Sequence, residues 1–75
     1  MVLYDLYING KLRDECRARN PIQALKLTLF AYADTNFVFN ADKVEVKSSR
    51  RSHVYENVEY YCDDDSLYSN GERIA

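Results

Sequence analysis

The chain has 75 residues, 47% of them hydrophobic and 29% charged, with a net charge of −2. That is the size and balance of one small folded domain and not of a disordered chain, and so small a charge points neither toward nucleic acid nor away from it. No apolar run approaches the ~20 residues of a membrane span, and Met1–Asp5 has neither the basic nor the apolar region of a secretory leader, so a cytoplasmic protein is expected.

The first element is a strand. Val2, Tyr4, Leu6 and Ile8 alternate with Leu3, Asp5 and Tyr7, the period of two that a half-buried strand requires. Asn9-Gly10 follows, and both residues tolerate the positive φ of a type I′ hairpin turn. The return strand, Lys11 to Arg19, has Leu12, Asp14, Cys16 and Ala18 as its expected inward set and Arg13, Glu15, Arg17 and Arg19 as its outward set. Asp14 fits an apolar face poorly and is expected at the strand's open end or at a bulge.

Asn20 then opens a helix. Its side chain can accept from an amide of the first turn, Pro21 suits the first helical position, and Gln23 is placed to complete a capping box. The apolar run from Ile22 to Ala33 gives an expected core stripe of Ala24, Leu25, Leu29 and Tyr32. Leu27 and Phe30 fall on the opposite side. Either the short Phe37-Val38-Phe39 segment folds back over them, or they form an exposed apolar patch of the kind that marks an interface with a partner or a second copy.

Asp34-Thr35-Asn36 breaks the helix, and Asn40 to Lys43 reads as a turn. Val44 to Lys47 alternates as a third strand, and Ser48 to Ser52 is a polar connection. His53 to Cys62 is a fourth strand with Val54, Val58 and Tyr60 inward. Asp63-Asp64-Asp65 ends it. The expected fold class is α+β, in the order β-β-α-β-β: an antiparallel sheet of three to four strands with one helix packed on one face. One domain is expected over residues 1–66, with 67–75 as a frayed tail that contains a turn signal at Asn70-Gly71.

Little in the sequence favours catalysis or a cofactor. Cys16 and Cys62 read as small buried hydrophobes. With the lone His53 they have no metal-ligand spacing, and the three aspartates lack the glycine and terminal glutamate of a calcium loop. No metal, cofactor or enzymatic role is therefore expected.

One helix covers one face of a sheet, so the other face is left for solvent or a partner. By strand parity Tyr7, Tyr55 and Tyr61 share that open face with Arg13, Arg17 and Arg19, and Tyr and Arg are the residue types enriched at interface hot spots. Together with Leu27 and Phe30 they point to a non-enzymatic protein-binding module, of the type of a small inhibitor or adaptor carried by a phage or mobile element. The alternative is a small RNA- or single-stranded-DNA-binding domain. It would use the open face and the basic stretch 47–52, with Lys47, Arg50, Arg51 and Arg19 on phosphates. Glu15, Glu45 and Glu59 dilute its positive field.

Overall fold

The computed structural model describes residues 1–33 and 38–75 and contains one helix on one sheet. In chain order the elements are β1 (Val2–Ile8), β2 (Lys11–Ala18), α1 (Pro21–Tyr32), β3 (Val38–Lys47), β4 (Ser52–Tyr61), β5 (Ser66–Ser69) and β6 (Glu72–Arg73). The sheet order is β2-β1-β3-β4-β5-β6, with every neighbouring pair antiparallel. The α+β class is as expected, and the sheet has two more strands than the highest expectation.

Since β2 and β3 both pair antiparallel with β1, they run parallel to each other, and α1 carries the chain from one to the other. Leu25 and Leu29 of the helix and Leu6, Val44, Val46, Val58, Tyr60 and Leu67 of the sheet are buried in one core. Each such side chain contributes roughly 1.5 to 3 kcal/mol relative to exposure. The buried helical positions are Ala24, Leu25, Thr28 and Leu29, so Thr28 takes the place expected for Tyr32. Tyr32 is 40% exposed, packs its ring on Phe39, and donates its hydroxyl to the Arg13 carbonyl at 3.0 Å.

Two irregularities decide which residues face the helix. In β2 the register slips between Leu6–Asp14 and Tyr7–Leu12. The bulge therefore falls beside Asp14, and it turns Leu12, expected inward, to 55% exposure on the outer face. In β3 and β4 the inward set changes parity together: Phe39 and Ala41 face inward opposite Tyr60 and Val58, then Val44 and Val46 opposite Tyr55 and His53. Asn57, with φ of 49°, sits at the change. The positive φ rotates the chain by one position, which is why Val54, expected inward, is 49% exposed. It is also why Tyr55 packs against the core and not on the open face.

The stretch Asn40 to Lys43, expected as a turn, lies inside the ten-residue β3, with Ala41 buried. Pairing with β4 supplies the hydrogen bonds that a free segment of that composition lacks. Residues 67–75, expected to fray, contain most of β5 and all of β6. Leu67 is fully buried, and Leu67 accepts at its carbonyl from the Ile74 amide at 2.8 Å. The two Asn-Gly turns share one geometry: Asn9 and Gly10 have φ of 50° and 83°, Asn70 and Gly71 of 54° and 78°. Both positive angles suit the type I′ turn that joins twisted strands directly.

Candidate functional site

The helix start forms as its residues require. Asn20 Oδ1 accepts from the Gln23 amide at 2.8 Å, and Gln23 Oε1 accepts from the Arg19 amide at 2.7 Å. Gln23 thus reaches the residue before the cap and not the Asn20 amide that a capping box would use, and the two bonds fix where α1 starts; the face of α1 opposite its buried positions points away from the sheet. On that face Leu27 is 56% and Phe30 63% exposed. Val38 and Phe39 lie in β3, where Phe39 packs on Tyr32 and the core; Phe37 lies outside the described residues. No described residue covers Leu27 and Phe30.

They form one wall of a groove of about 410 Å³ between α1 and the β4–β5 end, closed on the other side by Tyr60 and Asp65. A polar clasp ties the two walls of the groove together. Tyr60 donates its hydroxyl to Asp65 Oδ1 at 2.7 Å, and Lys26 pairs with Oδ2 at 3.2 Å. The Tyr60 hydrogen bond, with smaller help from Lys26, holds the Asp65 carboxyl below the usual range. Burial and then the Asp65 hydrogen bond push the Tyr60 phenol well above its ordinary value. Next to the clasp, the Ser66 hydroxyl donates to Asp64 Oδ1 at 2.6 Å and lowers the Asp64 carboxyl in the same way. Asp63 accepts from the Asp64 amide at 3.0 Å, so all three aspartates take part in internal hydrogen bonds, and the described residues contain no group of His, Cys, Asp or Glu arranged to hold a metal ion.

The open face is assembled differently from the sequence expectation. Tyr7 and Arg17 are on it, and Tyr61 lies there edge-on to Tyr68, with ring centroids 5.6 Å apart and its hydroxyl bonded to Glu59. Tyr55 is on the helix side, Arg13 is at the bulge, and Arg19 lies beyond the end of β2. Carboxylates interleave with what remains. Asp5 stands between Glu15 and Lys47, and Glu45 accepts from Ser52 and lies 4.0 Å from Lys47. Lys47 also sits 5.3 Å over the Tyr7 ring, a cation–π contact. Of the residues expected at an interface, Leu27 and Phe30 are on the helix and Tyr7, Arg17 and Tyr61 on the open face, while Tyr55 packs against the core and Arg13 sits at the bulge.

Of the four residues named for nucleic acid, Arg19, Arg50 and Arg51 line one cleft at the end of the sheet, while Lys47 belongs to the open face. The sequence grouped Arg19 with Arg50 and Arg51 by their charge alone, with Arg19 expected on the open face and not beside the 48–51 turn. Their meeting depends on β2 and β3 ending at the same edge. Cys16 and Cys62 are free and half-buried, with the Cys62 thiol pushed up by burial and then by Asp63 and Asp65.

The geometry defines a small α+β domain with an apolar groove on its helix, a mixed sheet face and a basic end. The chain matches no family, no curated protein and no solved structure. Among the described residues no helix is long and apolar enough to cross a membrane.

Proposed function

We propose that this protein is a non-enzymatic protein-binding module that seats an apolar side chain of its partner in the groove between α1 and the β4–β5 end. The observation that carries this reading is the joint exposure of Leu27 and Phe30, one helical turn apart, on a helix whose opposite side already fills the core. Two adjacent large apolar side chains left in water gain nothing on folding, and such patches mark contact surfaces. The clasp of Lys26, Asp65 and Tyr60 supports it too, because a rigid wall reduces the ordering cost of binding. The module resembles in size and type a small inhibitor or adaptor, and its action would be steric, by occupying a partner's surface.

The test compares the parent with a Leu27→Ser, Phe30→Ser double variant. Sedimentation reads self-association, and a pull-down followed by mass spectrometry reads partners. Loss of a specific partner, or of a dimer, with an unchanged urea midpoint supports the reading. A parent that is monomeric and retains the same proteins as the variant overturns it.

A further inference from the structure

We propose that the cleft at the end of the sheet where β2 and β3 finish is a binding site for a single phosphate group, as borne by a nucleotide or a sugar phosphate. It lies apart from the helix groove and rests on separate observations. The cleft has a volume of about 420 Å³ and is lined by Arg19, Arg50, Arg51, His53 and Ser49, with no carboxylate among its lining residues. Three arginines lining one cleft concentrate like charge there, and an anion seated among them would relieve that repulsion. None of the three has an acidic partner within salt-bridge distance among the described residues, whose two ion pairs are Lys26–Asp65 and Lys47–Glu45. In a chain with 12 acidic side chains against 10 basic ones, that segregation is a property of the fold.

The turn that supplies two of the arginines is set in advance. The Ser48 hydroxyl oxygen accepts from the amides of Arg50 at 3.4 Å and Arg51 at 3.2 Å, and the Ser48 amide donates to the Arg51 carbonyl at 2.8 Å. These bonds fix the backbone beneath both side chains, so less ordering is needed when a ligand arrives. Arg guanidinium suits the task because its planar fork matches two phosphate oxygens at once. The helix start beside the cleft is not the site. Its Gln23 and Ala24 amides are already taken by Asn20, so it adds only the favourable end of the helix dipole.

The surroundings favour an isolated phosphate over a nucleic-acid strand. Immediately beyond Ser48 and Ser49 the surface is lined by the carboxylates of Asp5 and Glu15 and by one cation, Lys47, which pairs across the strands with Asp5 and lies 4.0 Å from Glu45. A nucleic-acid strand that left the cleft on that side would meet two carboxylates against one lysine, whereas one phosphate ends where the arginines end.

The experiment is an NMR titration of the full chain with inorganic phosphate, with adenosine monophosphate and with a ten-nucleotide oligo-dT, following the Arg Nε–H signals. Phosphate and the monophosphate are expected to saturate with millimolar or tighter affinity and to shift the signals of Arg19, Arg50 and Arg51. The double change Arg50→Ser, Arg51→Ser is expected to weaken binding by about tenfold or more through loss of charge-assisted hydrogen bonds. Both residues are exposed turn positions, and an unchanged thermal melt confirms that the variant is folded. An Arg17→Ser control, on the open face, should bind as the parent does. The proposal is overturned by no saturation at about 10 mM phosphate, a concentration well above millimolar affinity. It is equally overturned if oligo-dT binds with a steep salt dependence and free phosphate does not displace it.

Discussion

Tyr60 donates its hydroxyl to Asp65 Oδ1 across 2.7 Å, tying the end of β4 to the turn that starts β5. Asp65 itself has φ of 56°, a left-handed conformation uncommon for a residue with a side chain. The hydrogen bond from Tyr60 and the ion pair from Lys26 hold its carboxyl low, below its value in the unfolded chain. The stabilisation is therefore complete above the unfolded Asp range, near pH 4, and is lost as pH falls through the lower folded value. Because the Asp65 side chain is 62% exposed, solvent screening limits its size. Asp65→Asn tolerates the same φ and is expected to flatten the acid limb of a urea-stability profile taken between about pH 6 and 2. An acid limb identical in the two proteins would show that the clasp contributes nothing to folding.

Leu67 lies in the short β5 near the end of the chain and is fully buried. Leu67→Ala is expected to cost about 2 to 5 kcal/mol, the range for a leucine removed from a packed core. A urea melt within about 0.5 kcal/mol of the parent would mean that β5 is not held against β4 in solution.

Val54 and Val58 stand on the same strand four residues apart, yet one is 49% exposed and the other 1%. Val54→Lys is expected to change stability by less than about 0.5 kcal/mol, as at other open surface positions. Val58→Lys places an unpaired charge in the core and is expected to prevent folding at room temperature. Circular dichroism at 25 °C distinguishes the two. Equal tolerance at both positions would contradict the parity change at Asn57.

Asn20 caps α1 through a single 2.8 Å bond to the Gln23 amide. Asn20→Ala is expected to destabilise the fold by about 1 kcal/mol, and Asn20→Asp to retain the cap. The comparison of the two thermal melts separates the loss of an acceptor from a general effect of changing the residue. Since Asn20 also borders the basic cleft, the Asp variant should bind phosphate less well at unchanged stability.

Local signals in the sequence determined the first half of the fold. The alternation of β1, the Asn9-Gly10 turn and the Asn20-Pro21 start of α1 each depend on a few consecutive residues, and each formed as its chemistry requires. The exposure of Leu27 and Phe30 was legible for the same reason, since 100° per residue fixes which side of a helix a residue occupies once the core stripe is known. Facing is a different matter. A strand's inward face follows from periodicity only while the period is unbroken, and it is broken by the register slip at Arg13 and by the change of parity at Asn57, where β3 and β4 turn over together with their pairing register unchanged. Leu12, Val54 and Tyr55 lie on faces opposite to those their periodicity predicts for that reason. β5 and β6 are four and two residues long, too short for a periodic signal, and exist because β4 offers an edge and Asn70-Gly71 a turn. The arginines of the basic cleft were named together from their charge, but the cleft itself is decided by tertiary structure. Arg19 and Arg50 are separated by α1 and β3, and they meet because the helical crossover makes β2 and β3 parallel, so that both strands end at the same edge of the sheet.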